Sequence, residues 1–227
     1  MSNQSSISTD ARFTWRRGEV APLRVAVLML PSFSNFGLAA VLEPLAIANW
    51  LTQRPLFEWS LLSLDGQPVQ ASNGLTTVAN DGLKADQGFD VCVVLASFDV
   101  HKHSRNLALK SWLRKQALFG AVLMGVETGT ELLAAAGVLD GYEAAVHWDN
   151  LQGFQESYPR VHARPQLYTL ERQRMTCAGA TTTLDMLLGW IGQSLDSELA
   201  REIGMHLLMG QVRAPADNQL DGGLTNT

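Results

Sequence analysis

Cysteine is scarce here: the 227 residues contain two, Cys92 and Cys177. Both lie in strongly apolar, strand-like runs, where a thiol behaves as a small buried hydrophobe, so neither a disulfide framework nor a thiolate metal site organises the chain. Charge is thin as well, at 17% of residues, and it is unbalanced: 17 basic against 22 acidic side chains leave a formal net charge of −5. Without a global positive field, the chain is poorly suited to phosphate backbones or anionic membranes. Long hydrophobic runs are missing too. No stretch approaches the roughly 18 apolar residues of a membrane span, and the polar opening MSNQSSISTDARFTWRRGEV lacks the apolar core of a signal peptide. The expectation is a cytoplasmic protein with no membrane partner.

What is present is apolar content, 46% of residues, enough to bury a sizeable core within one α/β domain. Residues 1–22 read as a flexible lead. Residues 23–30 (LRVAVLML) form a continuous apolar run of the kind a central parallel strand shows when both faces are covered. Helical spacing of Leu38, Val41, Leu42, Leu45 and Ala48 predicts a helix over 36–51, with a kink or late start at Pro44. Further strands are predicted at 57–64 and 89–96, and Asn73-Gly74 predicts a hairpin over 69–79 that decorates a sheet edge. A helix over 104–119, a buried strand at 121–126 and a helix over 130–136 ended by Gly137 continue the alternation. A short strand at 141–148 follows, then a one- or two-turn helix capped by Asp149 or Asn150. A hairpin around 171–174 (ERQR) and two helices between 181 and 209 complete the body. Residues 213–227 read as a disordered tail or linker. The fold class is a flavodoxin-like, doubly wound, mostly parallel sheet with helices on both faces and a small hairpin.

In such a sheet ligands bind outside the carboxyl ends of the strands, so the loops after 23–30, 89–96 and 121–126 carry the function. The third contains Gly125-Val126-Glu127-Thr128-Gly129, the spacing of the nucleophile elbow, a sharp strand-to-helix turn with glycine on either side. Glutamate stands where that motif holds its nucleophile. No thiol chemistry is available there, and Glu127 reads either as a carboxylate at a helix start or as a fixed negative charge for a cationic ligand. Glu43, flanked by Val41, Leu42, Leu45 and Ala46, is expected to be buried toward the strand ends as a second acid. Phe33, Phe36, Phe98 and the pair His147-Trp148 lie in or beside the strand-end loops. Each alone suits core packing, but together with two acids they suit an aromatic enclosure for an ammonium or guanidinium group. His101-Lys102-His103 beside Asp99 lacks a third metal ligand at convincing spacing and reads as a solvent-exposed loop; no metal and no cofactor are expected.

The run 125–148 (GVETGTELLAAAGVLDGYEAAVHW) resembles the GlxA-like branch of the DJ-1/PfpI superfamily, a class I glutamine amidotransferase-like domain found in certain AraC-family transcription regulators. Supporting matches are Leu42-Glu43-Pro44 with Ala48-Asn49, and residues 176–180 (TCAGA) with Asp185; the likeness spans about 23–212. Enzymatic members carry a cysteine at the elbow with an acid from the first helix beside it. The resemblance puts Glu127 at that cysteine position, Glu43 at the acid and His147 at a neighbouring histidine, so the enzymatic requirement fails. It implies a ligand-sensing and dimerisation unit over 23–212, in a branch whose members respond to arginine, glycine betaine, carnitine and similar nitrogen compounds. Such regulators reach DNA through a C-terminal helix-turn-helix pair, and no basic recognition helix stands in this chain.

The residues are compatible with three roles. The first is a non-enzymatic sensor whose small-molecule effector is a cationic amine or amino acid derivative. In it Glu127 and Glu43 neutralise the cation, Trp148 and the phenylalanines enclose it, and His147, Ser34 and Thr128 with the 32–36 loop complete the site, in a homodimer. The second is an enzyme using Glu43 and Glu127 as an acid-base pair. The third is a silent scaffold whose strand-end space is filled by Phe33, Phe98 and Trp148.

Overall fold

The computed structural model of the protein describes residues 21–84, 86–179 and 181–219. Its first element, β1 (Leu23–Met29), leads through a short turn into α1 (Asn35–Thr52), whose start is fixed by Ser34: the Ser34 hydroxyl oxygen accepts from the Gly37 N–H at 3.1 Å. α1 runs through Pro44 without a late start. Proline removes one backbone donor, and the packing of Val41, Leu45 and Ala48 against the sheet outweighs that loss. β2 (Phe57–Leu62) is followed by β3 (Val69–Gln70) and β4 (Thr76–Thr77), an antiparallel pair turning through Gly74 at φ 86°. This hairpin does not decorate an edge of the main sheet. It backs the loop after β1, where Ser32 N–H donates to the Gln70 carbonyl (2.9 Å) and Ser72 N–H to the Phe33 carbonyl (2.9 Å).

β5 (Val91–Ala96), α2 (Leu107–Leu118), β6 (Val122–Glu127) and α3 (Gly129–Ala135) follow, with Gly137 at φ 76° ending the last helix. β7 (Glu143–Ala145) and β8 (His162–Arg164) flank α4 (Leu151–Ser157) and pair in parallel as a side sheet of their own. Asn150 stands at the N-cap position of α4, as expected, but its side chain makes no capping hydrogen bond; the 3-10 turn just before it (Trp148–Asn150) is capped by His147, whose Nδ1 accepts from the Asp149 N–H at 3.3 Å. β9 (Tyr168–Glu171), β10 (Arg174–Cys177), α5 (Thr182–Ser194) and α6 (Ser197–His206) complete the elements.

The main sheet has the order β2-β1-β5-β6-β10-β9, parallel throughout except for the final antiparallel pair. This is the doubly wound architecture expected from the alternating runs. β5 shows why such a strand is apolar at every position. Val91, Val93 and Leu95 face the layer built by α1, α5 and α6, while Cys92, Val94 and Ala96 face the layer built by α2 and α3. Both cysteines are buried and unpaired. Among the described residues no helix is long and apolar enough to cross a membrane.

Residues 1–20 and 220–227, parts of the expected lead and tail, lie outside the described residues. The part of the tail that is described contradicts the expectation of disorder. Residues 213–219 are hydrogen-bonded onto the body, because a buried carboxylate, Asp185, and the backbone around Val146 and Gln166 accept or supply their polar partners.

Candidate functional site

The elbow is built by steric necessity. A β-carbon on Gly129 would fall 2.0 Å from the Val94 carbonyl oxygen, and one on Gly125 would fall 2.8 Å from both the backbone nitrogen and Cα of Thr130. Only glycine lets β6 turn into α3 so close to β5. Between these two glycines Glu127 sits at φ 54°, a left-handed conformation that costs a non-glycine residue on the order of 1 kcal/mol. Glu127 closes the register of β6 against Ala96 of β5, and Thr128 donates its hydroxyl to the Ser97 carbonyl at 2.8 Å, tying the elbow to the loop after β5.

This strained residue lines a cavity of about 790 Å³ at the carboxyl end of the sheet. Its walls come from the 97–101 loop, the elbow and the first turn of α3, the 146–158 segment and residues 178–179. The Glu127 carboxylate forms no hydrogen bond or ion pair among the described residues. A second carboxylate, Glu131, stands one helical turn further on, and the Tyr158 hydroxyl donates to it at 3.4 Å. Burial pushes the Glu131 carboxyl above its ordinary value, against the pull of that hydrogen bond. Tyr158 is pushed up to about 12, first by burial and then by the neighbouring Glu131 charge. Asp99, also on the rim, is held below its ordinary value by Lys102, whose ammonium lies 2.7 Å away. With Asp149 added, four carboxylate residues but no lysine or arginine line the cavity among the described residues, and Phe98, Phe154 and Tyr158 supply aromatic surface.

Four of the residues singled out from the sequence line this cavity: Glu127, Thr128, Phe98 and His147. The others lie elsewhere. Glu43 is exposed, a correction with a simple cause. The buried stripe of α1 runs through Gly37, Val41, Pro44, Leu45 and Ala48, and that spacing leaves Phe36, Ala39, Glu43 and Trp50 on the outer face. Phe33 is fully buried in the core, Ser34 is occupied as the α1 cap, and Phe36 is half-exposed away from the cavity wall. Trp148 is 49% exposed and packs against His147, with ring centroids 5.3 Å apart and the planes tilted by 34°, rather than lining the cavity. The sequence reading missed Glu131 and Tyr158, and it set His101 and Asp99 aside as a solvent-exposed loop, whereas both line the cavity. For Glu131 the signal was available: the helix predicted at 130–136 begins at the elbow, so an acid in its first turn stands close to Glu127.

The chemistry of these walls is electrostatic. Cys177, the thiol nearest the elbow backbone, is buried and pushed up to about 11, chiefly by that burial, so it is a neutral packing group. Cys92 is also driven upward by burial. Glu43 and Glu127 do not share a cavity, so the expected acid-base pair is not assembled, and Phe33 and Trp148 do not fill the strand-end space. Among the described residues no cluster of three or more histidine, cysteine or carboxylate side chains is arranged to hold a metal. His147, accepting through Nδ1, carries its proton on Nε2 when neutral and can donate to an anionic group.

No family model matches the chain. It is 37% identical over 192 residues to the HTH-type transcriptional regulator CdhR of Pseudomonas aeruginosa, an alignment covering 85% of this chain and 56% of that protein. The chain thus spans about half the length of the curated relative it matches. Among solved structures it is similar to an AraC family transcriptional regulator from Pseudomonas putida, with 28% identity and a TM-score of 0.75 over 82% of this chain and all of that one. A DJ-1 superfamily protein from Salmonella typhimurium, 17% identical, shares the fold with a TM-score of 0.72 over 83% of this chain and all of that one. The chain has the DJ-1/PfpI fold and is homologous to AraC-family, HTH-type transcriptional regulators.

Proposed function

We propose that residues 23–212 form the effector-sensing and dimerisation unit of a transcriptional regulator, and that the effector is a small cationic nitrogen compound held in the strand-end cavity. The observation that carries this reading is the Glu127 carboxylate. It is fixed by a strained elbow, lines a cavity large enough for a metabolite, and is left without a partner among the described residues. An unpaired carboxylate beside aromatic walls favours an ammonium or guanidinium group, whose attraction to an aromatic face adds about 0.5–2 kcal/mol. His147 Nε2 suits the carboxylate of an amino acid or betaine. Cys replaced by Glu at the elbow removes the nucleophile that acyl or aldehyde chemistry would need, which supports a binding rather than a catalytic role. DNA would be reached through a further helix-turn-helix domain, in the cytoplasm, and the effector must favour one dimer geometry over another to act at all.

Calorimetric titration of the purified protein with L-arginine, glycine betaine and L-carnitine tests the reading. Binding of one of them is expected, weakened about 10- to 100-fold by Glu127→Gln, as for a lost charged hydrogen-bond partner. Absence of heat with every cation, in a folded sample, contradicts it.

A further inference from the structure

Residues 212–219 are held by polar hooks rather than by apolar burial: positions 212–218 are all exposed. At the root, Arg213 donates its backbone N–H to Asp185 Oδ1 at 2.9 Å, and its Nε and Nη2 to Oδ2 at 3.0 and 2.6 Å. Asp185 is fully buried. The Tyr168 hydroxyl donates to the Arg213 carbonyl (2.9 Å), and the Leu167 N–H to the Pro215 carbonyl (3.0 Å). At the tip, the Gln219 side-chain amide bridges the backbone of Val146, Trp148 and Gln166, of which Val146 lines the cavity. Its Oε1 accepts from the Trp148 N–H at 2.8 Å, while its Nε2 donates to the Val146 carbonyl at 2.8 Å and the Gln166 carbonyl at 2.9 Å. One side chain therefore grips the backbone on both sides of His147, and His147 and Val146 line the cavity.

The two ends of this segment differ in kind. The root is an ion pair on a buried carboxylate, which opens only at the cost of stranding a charge; the tip is a neutral, half-buried amide, whose release strands none. We propose that 212–219 is a strap thermodynamically linked to the cavity, in which Gln219 positions the Val146–His147–Trp148 wall and a ligand held against that wall favours the docked tip. The ligand half of this proposal rests on the sensing role assigned above. Linkage makes the effect reciprocal: if cavity occupancy stabilises the docked strap, releasing the strap must weaken the ligand by the same factor.

The test compares the full 227-residue chain with its Gln219→Ala variant by amide hydrogen exchange resolved by NMR. The reporters are Asp149 and Asn150, whose N–H groups bond to His147 Nδ1 and the His147 carbonyl and not to Gln219. The proposal expects both to exchange about 5-fold faster or more in Gln219→Ala, the lower end of ordinary coupling, with unfolding otherwise unchanged. Faster exchange confined to 212–219 and Trp148, with Asp149 and Asn150 unmoved, overturns it, because the strap would then fray without touching the wall. The second arm uses glycine betaine, L-arginine and L-carnitine as probes. A probe that gives heat with wild type should slow exchange in 212–219 and bind Gln219→Ala about 5-fold more weakly or worse. Equal affinity and unchanged strap exchange overturn the linkage. If no probe gives heat, the sensing role fails, and the first arm alone still decides whether the strap positions the wall.

Discussion

Two carboxylate regions lie on opposite sides of β10 in the sequence, and they are treated in opposite ways. Asp185, in α5, is fully buried and saturated: the Arg213 guanidinium and backbone N–H occupy both its oxygens. Glu127, at the elbow, is half-buried, faces a cavity lined by further acids, and has no cation among the described residues. A carboxylate taken from water needs a partner. Asp185 finds its partner inside the chain and is a structural group, whereas Glu127 is held by backbone strain at a place where a partner could arrive from outside. The difference separates a residue that holds the fold from one that is available to a ligand.

The comparison can be broken in several places, the largest effect first. Gly129→Ala puts a methyl group into the Val94 carbonyl and should destabilise the fold by more than about 4 kcal/mol in urea unfolding, since backbone on both sides has nowhere to move. Arg213→Ala strands the buried Asp185 charge and should cost about 3 kcal/mol, at the low end for a broken buried pair because the guanidinium is itself 44% exposed. Glu127→Gln, by contrast, should change stability by no more than about 0.5 kcal/mol. Glu127→Gly sharpens the contrast further: by relieving φ 54° it should stabilise the fold by about 1 kcal/mol in thermal or urea unfolding while removing cation binding.

The smallest effect is in pH dependence. The folded-state value of Glu131 is raised, so its contribution to stability is present below the ordinary value of 4.5 and lost as pH rises through the raised one. Glu131→Gln should flatten that fall in an unfolding series across mildly acidic pH. The same variant should lower the ionisation of Tyr158 from about 12 part of the way toward 10 in an ultraviolet titration, with burial holding it above 10.

How much of this was legible in the sequence follows from the range of the interactions. The central strands were legible because burial on two faces leaves an unbroken apolar run, as in 23–30 and 89–96, and the elbow because its two glycines are close in sequence and sterically forced. Of the side sheet only β7 was legible, inside the short strand expected at 141–148; β8 and its pairing with β7 were not, since a three-residue strand carries no periodicity. Glu43 misled because its neighbours are apolar, and adjacency in sequence does not fix the face of a helix. Phe33 misled in a similar way: standing in a strand-end loop does not say whether a ring turns outward or into the core. The strap escaped notice because its hooks join residues far apart, Arg213 to Asp185 and Gln219 to Val146, and such polar contacts leave no local pattern.

The most direct test of the central claim is one paired measurement on wild type and Glu127→Gln: binding of L-arginine, glycine betaine and L-carnitine by calorimetry, with urea unfolding on the same preparations. The account predicts that the substitution lowers cation affinity about 10-fold or more while stability shifts by at most about 0.5 kcal/mol. Unchanged affinity, or a loss of stability as large as the loss of binding, would show that Glu127 belongs with Asp185 as a structural carboxylate.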